Sequence, residues 1–269
     1  MLTNPRADRV RSVRALSKRS VRERTGRFAV EGPQGVREAV RYAAPRVRDV
    51  YLTSEAIERH ADDIVGPARA AQLWVHEVTP DVLAAMAEAD APQGVLAVVD
   101  TAGDSLDDVL AARPRLLVLL THVRDPGNAG TVIRGADAAG ADAVLVSEAS
   151  VDVLGSKVVR STAGSLFHLP VVTGLDVAST LSTLRAHGIR TLAADGAGAT
   201  LLPDADLDGP HCWVMGNEAW GLGEPVRAAC DDVVRVPIHG RAESLNLAMA
   251  ATLCLYASAG RRPSGDPDG

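Results

Sequence analysis

Short apolar runs alternate with helical patterns through residues 115–260, and that alternation limits the folds open to this chain. Leu116 to Leu120, Ala143 to Ser147, Leu169 to Val172, Thr191 to Ala194, His211 to Met215 and Val233 to Ile238 read as strands. Between them Ala129 to Ala139, Val177 to His187 and Leu245 to Ala259 carry helical periodicity. Such alternation implies an α/β fold, a parallel sheet with helices on both faces. Aromatics make up only 3% of a chain that is 46% apolar, so the core must be built from Val, Leu, Ala and Ile. That composition suits a sheet buried on both sides.

The first 100 residues read as a separate, smaller α/β unit. A basic, helix-prone segment runs to about residue 27, and Phe28-Ala29-Val30, Val47 to Thr53, Leu73-Trp74-Val75 and Gly94 to Val99 are strand candidates. Gly35 to Ala43, Glu55 to Ala61 and Asp81 to Ala87 are helix candidates. Residues 101–114 form an acidic, less apolar bridge read as a linker, and 261–269 a Pro/Gly/Asp-rich tail expected to be disordered.

Charge is distributed unevenly. The net charge is −6, yet residues 1–50 hold 13 Arg and Lys against 5 Asp and Glu, a local balance of +8. This asymmetry fits a polyanion-binding arm with Arg14, Arg19, Arg22 and Arg24, although a solvated basic helix face fits it too. Cys212, Cys230 and Cys254 are scattered and unpaired in motif, which argues against a disulfide framework or a zinc site, and no metal is expected. No apolar run approaches the ~18 residues of a membrane span, and the Arg-rich start lacks a secretory pattern, so a cytoplasmic protein is expected.

Three polar segments fall where strands end and helices begin, the place where ligand sites form in open α/β sheets. The first is Asp125-Pro126-Gly127-Asn128-Ala129-Gly130, followed by Arg134. Asn128 reads most simply as a helix N-cap, and Arg134, six residues on, as pointing along much the same face. The second is Gly216-Asn217-Glu218, in which the glycine permits close approach of backbone to a ligand. Glu218 is placed to accept from a ribose hydroxyl or to pair with Arg134, or simply to sit at a helix N-terminus. The third is Ser244-Leu245-Asn246, with Ser244 as a capping residue and Asn246 as an amide inside an apolar helix that needs partners.

In order and spacing these segments resemble the three motifs of the SpoU (TrmH-type) RNA ribose methyltransferases of the SPOUT superfamily. Asn128-x-Gly130-x-x-x-Arg134 is similar to the first, Met215-Gly216-Asn217-Glu218-x-x-Gly221-Leu222 to the second, and Pro237-Ile238 through Ser244-Leu245-Asn246 to the third. Residues 1–100, with Phe28-x-x-Glu31-Gly32, more loosely resemble the ribosomal-protein-like RNA-binding domain often fused in front. The resemblance implies a C-terminal SPOUT-like domain over 115–260 with a deep trefoil knot, and a homodimer. It also implies transfer of a methyl group from S-adenosylmethionine to a ribose 2′-hydroxyl of RNA. By position, Gly216, Asn217, Val236, Ile238 and Leu245 would hold the cofactor, joined by Ala194 and Asp195. Asn128, Arg134, Glu218, Ser244 and Asn246 would surround the ribose, and the four N-terminal arginines would contact RNA. Many relatives place glycine directly after the glutamate; Ala219 and Trp220 depart from that pattern.

The two-domain layout favours rRNA over tRNA as substrate. A non-catalytic RNA-binding or ribosome-assembly protein is the alternative, and a nucleotide-binding oxidoreductase is disfavoured because Asp195-Gly196-Ala197-Gly198 lacks the rest of a dinucleotide fingerprint.

Overall fold

The computed structural model describes residues 1–217 and 219–261, in two compact units. The first comprises Met1–Gly103 together with Asp152–His168; the second comprises Asp104–Val151 and the chain from Leu169 onward.

The first unit is built on four strands, β1 (Arg27–Glu31), β2 (Val47–Leu52), β3 (Trp74–Glu77) and β4 (Val95–Asp100). Their order is β1-β4-β2-β3, with β4 antiparallel to both β1 and β2, and β3 parallel to β2. The basic N-terminal segment is two helices, α1 (Asp8–Ala15) and α2 (Arg19–Thr25), the second ended by Gly26 at φ +62°. Helices α3 (Pro33–Tyr42), α4 (Ser54–Arg59), α5 (Gly66–Ala70) and α6 (Pro80–Met86) complete the N-terminal part. Val10, Val13 and Leu16 follow a helical spacing and pack with Tyr51, Leu83, Met86 and Leu96.

Arg22 stands apart from the other N-terminal arginines because only 6% of its surface is exposed. Its Nη1 donates to the carbonyls of Leu16 (2.6 Å) and Ser17 (2.8 Å), and its Nη2 to Asp152 Oδ2 at 2.5 Å. The guanidinium therefore ties the turn between α1 and α2 to the returning segment. A second tie is Glu31, whose carboxylate accepts from the backbone of Glu88 (2.7 Å) and Ala89 (3.1 Å) and from Arg160 (3.0 Å). Arg160 belongs to α9 (Ser156–Ser161), and just beyond it Phe167 stacks on Phe28 with ring centres 6.3 Å apart.

The second unit holds seven parallel strands: β5 (Leu116–Leu120), β6 (Ala143–Ser147), β7 (Val171–Leu175), β8 (Arg190–Ala194), β9 (Thr200–Leu201), β10 (His211–Met215) and β11 (Asp232–Arg235). They run in the order β7-β6-β5-β10-β8-β11-β9. The helices are α7 (Leu106–Ala111), α8 (Pro126–Ala138), α10 (Val177–Ala186), α11 (Glu224–Ala229) and α12 (Leu247–Ala259). Leu117, Leu119, Leu145, Leu181, Leu184 and Val214 are among the core residues, in line with an apolar sheet covered on both faces. Helix α12 docks on β10 through Ser258, whose Oγ meets Trp213 Nε1 (2.9 Å) and His211 Nε2 (2.7 Å).

Several elements differ from the sequence reading. The stretch read as a linker contains α7, started by a reciprocal Ser105–Asp108 capping box and burying Val109 and Leu110. The strand expected from Leu169 begins at Val171, because Pro170 has no N–H to give a ladder, and the one expected to reach Ile238 stops at Arg235, ahead of Pro237. The tail expected to be disordered lies, from residue 262, outside the described residues. Among the described residues no helix is long and apolar enough to cross a membrane.

Removing Arg22 leaves a carboxylate and two carbonyls without their donor. Arg22→Met is expected to destabilise the protein by on the order of 3 kcal/mol, whereas Arg24→Met on the exposed side should stay within about 0.5 kcal/mol. Urea denaturation of the two variants side by side checks this; equal midpoints would contradict the tie.

Candidate active site

The four central strands β5, β10, β8 and β11 are neighbours and parallel, so the segments that leave their carboxyl ends emerge side by side. After β5, the backbone N–H and the Oγ1 of Thr121 both donate to the carbonyl of Met215 (2.9 and 2.8 Å). His122 then adopts φ +51°, a left-handed conformation uncommon for a non-glycine residue. Its N–H donates to Ser147 Oγ (2.8 Å) and its carbonyl accepts from Asn217 Nδ2 (2.6 Å), which hold it there.

After β10, the chain folds back on itself. Asn217 and Gly221 exchange two backbone hydrogen bonds, each 2.9 Å, and Gly221 sits at φ +65°. A Cβ at Gly216 would lie 2.3 Å from the Gly221 carbonyl carbon and 2.5 Å from the Leu222 nitrogen. The close approach that Gly216 permits is thus to the chain's own backbone. Asn217 is buried, and its amide is used at both ends: Nδ2 on His122, Oδ1 on the N–H of Ala219 (2.8 Å).

Beyond β8 and β11 lies a cleft of about 650 Å³, lined among others by Ala194, Asp195, Val236, Ile238, Ser244 and Leu245. The ends of β8 and β11 thus bring together much of the expected cofactor set, while Gly216 and Asn217 lie outside this lining and shape the loop carrying Leu222. The Leu222 N–H reaches Asp195 Oδ2 (3.4 Å), and Asp195 Oδ1 accepts from Ala197 N (2.9 Å) and meets Arg227 at 3.4 Å. The Arg227 pKa is held above the ordinary arginine value by its hydrogen bond to Glu224, with the Asp195 charge adding to it. Among the described residues no backbone–backbone hydrogen bond engages residues 236–245. Their N–H and C=O groups border the cleft and stay available to a ligand. Apolar side chains for a flat ring system and free backbone groups for its polar edge fit S-adenosylmethionine, and the cleft is of ligand size.

Helix α8 begins differently from the expectation. Asp125, not Asn128, is its N-cap, accepting from the Asn128 N–H at 2.7 Å; Asn128 is the third helical residue. The Asn128 side chain is spent on the third motif instead, its Oδ1 accepting from Asn246 Nδ2 at 2.9 Å. Asn246 is correspondingly not buried within a helix. It is the exposed N-cap of α12, its Oδ1 accepting from the N–H groups of Ala248 (2.8 Å) and Met249 (3.4 Å). Ser244 therefore is not the cap and lies exposed in the cleft lining. Arg134 is exposed, and its side chain makes no hydrogen bond or ion pair among the described residues. At 3.6 residues per turn, six residues leave it about 120° around the helix from Asn128, so the two do not share a face. Glu218 lies outside the described residues.

Of the four expected RNA contacts, Arg22 is corrected: its guanidinium is buried on Leu16, Ser17 and Asp152 and offers no phosphate site. Arg14 is exposed but donates to the Ala87 carbonyl, and Arg19 pairs with Glu23 at 2.8 Å, which raises its pKa. Arg24 is exposed with no ion pair among the described residues. The sequence reading missed His122, whose strained backbone carries no residue-type signal, and Arg124, whose side chain lies over the Trp220 ring. Burial raises the thiols of Cys230 and Cys254 to about 11 and about 12, and raises that of Cys212 as well, so a thiolate nucleophile near neutral pH is not on offer.

Comparison with known proteins places this geometry. Residues 115–256 match the SpoU rRNA Methylase family, and residues 7–97 match the MRM3-like substrate binding domain. A 23S rRNA (uridine(2479)-2′-O)-methyltransferase of Streptomyces viridochromogenes is 35% identical over 93% of this chain and 88% of its own. The 23S rRNA (guanosine(2553)-2′-O)-methyltransferase RlmP of Bacillus subtilis is 31% identical over 92% and 94%. Among solved structures, an AdoMet-bound rRNA methyltransferase from Sinorhizobium meliloti superposes with a TM-score of 0.84 at 29% identity, covering 98% of each chain. The SpoU methyltransferase AviRb from S. viridochromogenes, in complex with AdoMet, gives 0.83 at 34% identity, covering 96% of this chain and all of that one. This chain belongs to the SpoU rRNA methylase family.

Proposed function

We propose that this protein methylates a ribose 2′-hydroxyl of ribosomal RNA, with S-adenosylmethionine as methyl donor. The observation that carries the reading is the Asn128–Asn246 hydrogen bond, which joins the first and third motifs beside a cleft bordered by unbonded backbone. The S. viridochromogenes and B. subtilis relatives described above support it, both being ribose 2′-O-methyltransferases of 23S rRNA.

The donor supplies a methyl group already activated on a sulfonium, so no further activation of the leaving group is needed. What remains for the protein is alignment and charge. Backbone groups of 236–245, with Asp195 alongside, would hold the donor, and the Asn128–Asn246 pair fixes the start of α8 against the start of α12. Positioning of this kind places nucleophile and methyl in line. Arg134 is the group for the nucleophile. A guanidinium carries no lone pair for a proton, so its part would be to stabilise the alkoxide that emerges as the hydroxyl proton passes to solvent water. The methyl goes to that oxygen and the C–S bond pair stays with the sulfur.

The same reading includes a homodimer and a trefoil knot at the carboxyl end. Supporting the dimer, Met249, Leu253 and Tyr256 are large, exposed and spaced to share one face of α12. Supporting the knot, the chain passes from β11 through ten residues without backbone hydrogen bonds before α12 docks on β10.

Labelled S-adenosylmethionine incubated with rRNA and tRNA from cells lacking the gene tests the reaction; recovery of a 2′-O-methylated nucleoside from rRNA is the expected result. Arg134→Ala should lower turnover by at least about a hundredfold while calorimetry finds cofactor affinity near wild type; a large loss of cofactor binding would contradict its role. Replacing Arg19 and Arg24 by Gln should weaken RNA binding and reduce the salt slope by about 0.7 to 0.9 for each phosphate no longer neutralised. An unchanged slope would return this arm to a solvated helix face. Leu253→Glu should convert the dimer to monomer in sedimentation velocity.

A further inference from the structure

We infer that Trp220, backed by Arg124, is a stacking platform for a nucleobase of the RNA beside the methylated ribose; the inference rests on the function proposed above. Trp220 is 58% exposed, a large apolar ring left in water on a chain with very few aromatics. It is not on a loose loop. The Asn217–Gly221 backbone pair, the Ala219 N–H on Asn217 Oδ1 and the Asn217 amide on His122 fix the turn on both sides of it. Gly216 lets Gly221 and Leu222 pack directly against the strand end. The residues flanking the ring are thus held by hydrogen bonds, and such anchoring lowers the entropy lost when a ligand lies on it.

Its neighbour sets the chemistry. The Arg124 guanidinium carbon lies 5.2 Å from the centre of the indole, over the ring. A cation over one face leaves the other for a flat partner, and indole plus guanidinium is the pairing on which unstacked bases of RNA settle. Location adds a third argument. Arg124 directly precedes Asp125, the cap of the helix carrying Asn128 and Arg134, and Trp220 follows the adjacent parallel strand. The platform therefore borders the ribose side of the site. A base on it would be held by its π face, so stacking gives affinity and placement with little sequence preference.

The probe is deproteinised 23S rRNA from cells lacking the gene. In a Trp74→Phe background, which leaves Trp220 and the buried Trp213 as reporters, the RNA should quench indole fluorescence; in Trp74→Phe/Trp220→Tyr the quench should vanish. Trp220→Ala should raise the KM for RNA by about 5- to 150-fold with cofactor affinity unchanged, and Trp220→Tyr should restore it to within about threefold. A wild-type KM in Trp220→Ala, or quenching that survives loss of Trp220, overturns the inference. So does a Trp220→Ala protein that sediments as monomer and regains RNA affinity only as it regains the dimer, which would make the ring a subunit contact. If wild type transfers no methyl to rRNA, the proposed reaction fails instead, and the quenching titration still reports whether a base stacks.

Discussion

No side chain fits at residue 216, and the working end of the second unit depends on that. With only a hydrogen there, the chain after β10 turns back until Gly221 and Leu222 lie against it. The turn aims the Asn217 amide at the carbonyl of His122, which holds that residue in its left-handed conformation. Strain of this kind persists only where surrounding bonds over-determine it. The redirected chain then delivers Asp125 to the start of α8, so Asn128 reaches the cap of α12. One backbone-to-backbone approach on β10 thereby sets the mutual position of all three motifs. A methyl at this position would disturb the site without touching any group that meets substrate.

Much of the architecture was legible because its signals are local. β5 is an unbroken apolar run, β6 and β10 are apolar but for Ser147 and His211 at their ends, and all three form where the runs lie. The misses have local causes as well. Pro170 and Pro237 trim two strands that hydropathy alone extends, and the Ser105–Asp108 capping box starts a helix within residues whose acidity suggested a bridge. The order of strands is a different matter. That β10 inserts between β5 and β8 follows from pairing between segments about 95 and 20 residues apart, and no periodicity encodes it.

The site was legible as motifs and less so as roles. Asp125, Asn128, Ser244 and Asn246 are all residue types that cap helices, and spacing alone could not say which of them does. The structure gives the caps to Asp125 and Asn246, and the Asn246 amide, bonding backbone with its oxygen and Asn128 with its nitrogen, serves both structure and site. Charge counting likewise treated the N-terminal arginines alike. Arg22 differs only in facing the interior, a fact that depends on Asp152, 130 positions away.

That long reach governs the order of events during synthesis. Residues 152–168 supply the first unit with Asp152 for Arg22, Arg160 for Glu31 and Phe167 for Phe28. Until they leave the ribosome, the N-terminal segment has a buried-type arginine, a buried-type carboxylate and an uncovered ring without partners. Domains generally fold N-terminal first as the chain emerges. Here the earlier half must wait for a piece of the later one, and a nick near Gly103 would strip the first unit of residues 152–168, which stay on the fragment that carries all of the second.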